Sequence, residues 1–340
     1  MPRSRRSPLP HSASVPRRAA LAVAVLALLA GCETSVVIDA PELENALVVY
    51  AFPQADSVWS VRVGRTLPLG AVINGDPLPS EVQDATVRLF EGEALLDELV
   101  FEAGLRPPGR YVSRLGLRPT PGTTYRLEVT APGLPMAVAE TTLPLPPEVE
   151  LTRNEWEQVT VFGDGSLEGE RGIGITLTDL PGEDVYEMAI LRQDRSDMCP
   201  DGLCNEILNG FRSSSPSLRD GYDLLDVDVT IEENEPFTFA VFRDALFEAR
   251  RQRFDLTFDL FIFNGFGSAS TVENQLFVAR VSEPFAEYQK ALQNQDLNED
   301  NPFAEPTPLY SNVQGGHGVV GGFSAVRVPL PTPEATGGGS

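Results

Sequence analysis

The sequence predicts an all-β (mainly) protein of two β-sandwich-like domains, the first Ig-like and the second with one or two short helices. Three observations predict this class. Short runs alternate apolar and polar residues with period two, and proline and glycine punctuate them, which is the pattern of half-buried strands in a sandwich. Convincing helical periodicity occurs once, after Ser282. The cluster Leu143-Pro144-Leu145-Pro146-Pro147 separates two groups of strands. Prolines hold the backbone extended and cannot donate ladder hydrogen bonds, so they make stiff connectors. A proline-bounded edge strand within one larger domain is the alternative.

The first domain is read as residues 45–146, since about 100 residues suit one Ig-like unit. It opens with the apolar run Leu47 to Phe52, stopped by Pro53. Val58, Ser60 and Arg62 then alternate with Trp59, Val61 and Val63. Ala85 to Phe90 alternates likewise and ends at the turn signal Glu91-Gly92-Glu93. Tyr111 to Ser113, Thr124 to Val129 and Ala137 to Leu143 follow Pro/Gly turns or complete the set.

The second domain is read as residues 147–328. Gly172 to Thr178 and Val185 to Leu191 flank the turn Asp179-Leu180-Pro181-Gly182. Phe254, Leu256, Phe258, Leu260 and Ile262 alternate with polar residues and mark a strand buried on one face. Gln275 to Val281 is its expected neighbour. Ser282 caps the helix that follows, Pro284 sits in its first turn, and Phe285, Tyr288 and Leu292 share one side. A shorter helical turn is expected at Ala245 to Arg250, a long loop at Asp194 to Tyr222, and a disordered tail at 329–340.

The N-terminus reads as an address. Arg3, Arg5, Arg6, Arg17 and Arg18 surround the start of an apolar run from Ala19 to Ala30. That run is shorter than the roughly twenty residues a membrane-spanning helix needs, and it fits a signal-peptide core. It ends in Leu29-Ala30-Gly31-Cys32. Small residues before a cysteine suit a lipoprotein signal peptidase, and the Cys32 thiol would then carry the lipid. Residues 1–31 are therefore read as signal peptide and 32–44 as a lipidated tether. Two or three acyl chains on Cys32 would anchor the protein stably to a membrane. The alternative is an ordinary secretory signal followed by a chance cysteine.

Charge narrows the function classes. The 340 residues include 26 basic and 49 acidic side chains, a formal charge of −23. Removing residues 1–31 takes five arginines and no acid, which leaves 21 against 49, or −28. Such a surface does not track nucleic acid. After processing only His317 remains as a histidine, so imidazole metal centres have little to draw on. The acidity itself, with Lys290 the only lysine, is read as a matter of habitat and codon use.

Few constellations could carry chemistry. Cys199 and Cys204 are spaced for a small structural disulfide in an oxidising compartment, with free thiols the alternative. Gly316-His317-Gly318-Val319-Val320-Gly321 matches a dinucleotide fingerprint, but an alternating strand follows it where a helix is required. The run Gly315, Gly316, Gly318, Gly321 and Gly322 is read instead as a structural glycine turn. Asp296, Asn298 and Asp300 open like a calcium loop, but Asn301 replaces the required glycine and Thr307 the bidentate acid. A solvated acidic loop is the preferred reading there, with weak calcium binding the alternative. A catalytic triad would have to use His317, which lies in a poor scaffold for a base. No catalytic residue and no cofactor is expected; paired acids for glycoside hydrolysis stay open.

Several segments resemble a known family. Asp84 to Phe90 looks like its "GAxVxL" strand, and Pro121-Gly122-Thr123-Thr124-Tyr125-Arg126-Leu127-Glu128-Val129 like its "PGxxYxLxV" strand. Asn301-Pro302-Phe303-Ala304-Glu305-Pro306 and Tyr310 to Ser324 resemble its closing signature, with Val320 where phenylalanine is usual. The family is the domain-of-unknown-function 4249 group of Bacteroidetes-type envelope lipoproteins. The resemblance implies an outer-membrane lipoprotein, often encoded beside TonB-dependent transporters, on the periplasmic or cell-surface side, with no established activity. The expected function is a non-enzymatic accessory or binding subunit of an uptake system. The alternative is a structural or adhesive surface module, and an extracytoplasmic hydrolase ranks third.

Overall fold

The computed structural model describes residues 45–332, apart from 68–71, 74–75, 78–79, 105–108, 164, 196–202, 219–238, 248, 263–270 and 299–307. The first lobe contains β1 (Leu47–Ala51), β2 (Ser60–Arg65), β3 (Val72–Ile73), β4 (Asp76–Pro77), β5 (Thr86–Glu91), β6 (Ala94–Phe101), β7 (Arg110–Val112), β8 (Thr124–Thr130) and β9 (Ala137–Thr142). The second contains β10 (Glu148–Val161), β11 (Leu167–Thr178), β12 (Val185–Arg195), β13 (Leu203–Asn209), β14 (Arg212–Ser213), β15 (Phe239–Arg243), β16 (Arg251–Ile262) and β17 (Thr271–Val281). The chain ends with α1 (Glu283–Asn298), β18 (Gly316–Val320) and β19 (Phe323–Leu330). The protein is mainly β, with several sheets, and no described helix is long and apolar enough to cross a membrane.

In the first lobe one eight-stranded sheet, ordered β18-β1-β2-β7-β6-β5-β8-β9, folds over a single core. Its two ends meet where Val138 and Gln314 exchange backbone hydrogen bonds at 2.9 and 2.8 Å. Period-two alternation sends Leu47, Val49, Val61, Val63, Val87 and Leu89 inward, each at most 1% exposed. Trp59 packs edge-on to Tyr125 at 5.2 Å. The buried Tyr111 hydroxyl donates to the Val82 carbonyl and accepts from the Ala85 N–H, both at 2.9 Å, so its burial leaves no polar group unmatched.

In the second lobe the sheet β10-β11-β16-β14 faces the sheet β13-β12-β17-β19, with β15 added beside β12. Phe254, Leu256, Phe258 and Leu260 of β16 are buried as their alternation predicts, and they meet Tyr186, Met188, Ile190, Leu276 and Val278. The proline connector is braced between the lobes. The Leu143 side chain is buried, the Ser324 hydroxyl donates to the Pro144 carbonyl at 2.6 Å, and Arg280 reaches the Leu145 carbonyl at 3.4 Å.

Several expectations change. The region from Asp194 to Tyr222 holds the end of β12, then β13 and β14, so it is not one long loop. Residues 245–247 form turns closed by Phe247 N–H to the Asp244 carbonyl at 2.7 Å, not a helix. β10 had no clear signal, because Arg153, Glu155 and Glu157 interrupt its apolar positions; it is held by its ladder to β11. Pro329 and Leu330, assigned to the tail, belong to β19, and Leu330 is buried. They pair with Gln275 and Asn274 of β17, and Arg171 braces this end of the strand. Its buried guanidinium donates to the carbonyls of Leu330 at 3.3 Å and Pro331 at 2.9 Å, and lies over the Phe258 ring. Burial, with no carboxylate partner among the described residues, pulls its pKa down to about 10.

Candidate functional site

The outer face of the first sheet meets α1 in a cleft of about 430 Å³ lined by Tyr50, Phe52, Ser60, Arg62, Arg110 and Tyr288. The same alternation that buries Val49 and Val61 turns Tyr50 and Arg62 outward. Register does the rest: Tyr50 pairs with Arg62, and Arg62 pairs with Arg110, so one row crosses three adjacent strands. Helix α1 supplies Tyr288 from above. It is anchored by the buried Phe285 and Ala286 and by the Ala286 N–H bond to the Ser282 carbonyl at 3.0 Å.

The aromatic wall is continuous. Tyr288 lies 5.9 Å from Tyr50 and 5.7 Å from Phe52, with rings tilted by 53° and 33°. Burial, together with the neighbouring Tyr50 phenol, pushes the Tyr288 phenol up, while the nearby Arg62 opposes the shift. Arg62 and Arg110 face each other across the ladder, and neither has an ion-pair partner among the described residues. Like charges directly opposite are unfavourable on a sheet.

A second constellation lies at the strand ends of the other lobe. Asp179, Asp184 and Asp244 each place a carboxylate oxygen within 4.8 Å of the others. Arg280 Nη2 lies 2.8 Å from Asp184 Oδ2 and 3.2 Å from the Tyr186 hydroxyl, which in turn donates to Asp179. The Ala249 N–H donates to Asp179 at 2.6 Å, and the Asp184 N–H to Asp244 at 3.1 Å. Carboxylate oxygens alone would suit a hard cation such as calcium. Here each acid is already engaged by a protein donor, and Arg280 supplies the counter-charge. The arrangement works as a latch joining the ends of β11, β12, β15 and β17.

Burial pushes the Asp244 carboxyl up to about 6 and also raises Asp184, the latter against the pull of Arg280. An unfolded aspartate titrates near about 3.9, so the fold holds the Asp244 proton longer. Its contribution to stability is full below that value and is lost as pH rises through about 6. Asp244→Asn keeps an acceptor for the Asp184 N–H and removes the charge. It is expected to gain about 1–2 kcal/mol over the parent at pH 7.5. The gain should shrink toward zero at pH 4. Urea denaturation at both pH values checks this, and an equal effect at both would refute it.

The family model for a domain of unknown function, DUF4249, matches residues 33–328. The chain belongs to the DUF4249 family. No curated protein matches it in sequence. Among solved structures, the enterotoxigenic E. coli adhesin CfaE is similar at 9% identity over 82% of this chain and 86% of that one, with a TM-score of 0.22. The structure titled as a chaperone–tip adhesin complex of CFA/I fimbriae gives 10% identity, 68% and 83% coverage and a TM-score of 0.21. The major pilin subunit BcpA of Bacillus cereus gives 9% identity, 84% and 69% coverage and a TM-score of 0.18.

The DUF4249 closing signature has a visible task in the fold. Asn312 accepts from the Val320 N–H at 2.9 Å and donates to the carbonyls of Val320 at 2.9 Å and Glu140 at 3.1 Å. It thereby ties β18 to β9. The glycine run that follows is a turn only at Gly315; Gly316 and Gly318 lie within β18, which runs parallel to β1. Gly318 has φ +108°, and a Cβ there would sit 2.0 Å from the Val49 carbonyl oxygen. Gly321 and Gly322 link β18 to β19. His317 is exposed on β18.

Other expected site residues are not brought together. Asp296 and Asn298 lie in the last turn of α1, so their backbone is helical where a calcium loop was considered; Asp300 lies outside the described residues. Cys204 lies on β13, and Cys199 lies outside the described residues, as do Leu29, Ala30, Gly31 and Cys32. The cleft was missed because its residues lie far apart in sequence. Its one local signal was the pair Tyr50 and Phe52 on the polar-facing phase of an otherwise aliphatic strand.

Proposed function

We propose that this chain is a non-enzymatic, lipid-anchored outer-membrane protein serving as an accessory or binding subunit of a TonB-dependent uptake system. The observation that carries the binding role is the cleft: two arginines without acidic partners among the described residues and three aromatic side chains gathered on one face of a strongly acidic chain. Unpaired like charges held opposite one another cost stability, and a ligand that neutralises them repays that cost. The Leu29–Cys32 motif supports the lipid anchor. The transporter association rests on the family resemblance alone.

Affinity isolation of the tagged full chain from detergent-solubilised membranes tests the reading. A β-barrel transporter should co-purify with it. Recovery of no barrel protein, with unchanged nutrient uptake and altered surface attachment in a deletion strain, would overturn it in favour of an adhesive module.

A further inference from the structure

We propose that the cleft between β1, β2, β7 and α1 binds an acidic saccharide, a sugar ring bearing a carboxylate or a sulfate. The inference deepens the binding role above and rests on it.

Three features of the cleft select this chemistry. First, Arg62 and Arg110 are neighbours across the β2–β7 ladder with no acidic partner among the described residues. Several other surface arginines are neutralised. Arg88, Arg153, Arg212, Arg243 and Arg251 each reach a glutamate within 3.2 Å. Two guanidinium groups side by side offer planar, bidentate hydrogen bonds to a carboxylate or sulfate.

Second, the rings of Tyr50, Phe52 and Tyr288 are mutually tilted and do not form a parallel slot. A flat aromatic ligand is best held between parallel faces, whereas the apolar C–H faces of a puckered sugar meet rings set at an angle. Third, the hydroxyls of Ser60, Tyr50 and Tyr288 line the same space. They supply the donors and acceptors that sugar hydroxyls need once dehydrated.

Size and charge set the upper limit. A cleft of about 430 Å³ suits one or two sugar rings. The surrounding protein is so acidic that a long polyanion would be repelled, so the ligand carries one or two charges.

The test uses the full chain purified in detergent and isothermal titration with three probes: digalacturonate, a monosulfated disaccharide and neutral lactose. At least one acidic probe should bind with a Kd below about 1 mM, weaken as salt rises, and exceed lactose at least about tenfold. Which acid binds distinguishes carboxylate from sulfate. Arg62→Gln and Arg110→Gln should each lose about tenfold or more, with melting temperatures equal to or above the parent's because the facing charges are relieved. Arg62→Lys should retain part of the affinity. Binding of neither acidic probe, or lactose binding as well as the acids, overturns the proposal on the unmodified chain alone. So does undiminished affinity in both glutamine variants. Binding is read on the purified protein, so this result stands apart from whether a barrel protein co-purifies.

Discussion

Arg280→Met is expected to destabilise the protein by about 3–5 kcal/mol at pH 7.5, because removing one partner of a buried ion pair strands the other. Arg280 is 4% exposed, contacts Asp184 and Tyr186, and among the described residues is the one cation paired with the cluster of Asp179, Asp184 and Asp244. Methionine fills the space of the arginine stem over the Tyr186 ring, so the loss reports charge and not a cavity. The sign of its pH dependence follows from the acids. Without Arg280 the folded-state pKa of Asp184 rises further, and its protonation removes uncompensated charge as pH falls. The deficit should therefore be clearly smaller at pH 5. Urea denaturation at both pH values measures it. A loss under about 1 kcal/mol at pH 7.5, or a loss independent of pH, would sink the latch interpretation.

Gly318→Ala should cost at least about 3 kcal/mol, or about 6–12 °C in melting temperature. Two penalties add. The residue holds φ +108°, where an alanine is strained, and its Cβ would lie 2.0 Å from the Val49 carbonyl oxygen and 2.9 Å from the Val49 nitrogen. Both atoms are backbone of β1, so relief requires β18 to leave the sheet. Gly92 is the internal control. It also has a positive φ, +56°, but nothing lies within 4 Å of a Cβ there. Gly92→Ala should cost only about 1–2 kcal/mol, the left-handed penalty without a clash. Equal losses at the two glycines would mean that close approach contributes nothing.

Local alternation made most of the architecture legible. β1, β2, β5, β8 and β16 each bury one face of a period-two pattern, and that signal survives because side chains of successive residues must point to opposite sides of a sheet. What stayed hidden depended on distant partners. β18 looks like a turn because glycine is a poor strand former in isolation, yet here it is the residue that fits beside β1. Asp179 and Asp184 of the latch share the β11–β12 connection and Asp244 follows β15, and nothing in the acid-rich sequence distinguishes them from solvated acids. Tyr50 and Arg62 were visible as strand residues, but their convergence with Arg110 and Tyr288 is a matter of register and helix placement.

The parallel pairing of β18 with β1 has a consequence for how the protein is made. A chain synthesised N-terminus first presents Leu47–Ala51 long before its partner Gly316–Val320. Until then one edge of β1 has no strand to pair with and can template misassembly. Closing so distant a contact is also intrinsically slow. The leading half is therefore not expected to mature as an independent unit during synthesis. A translation stop shortly before residue 316 should expose both lobes to proteolysis, because it removes β18 from one sheet and β19 from the other.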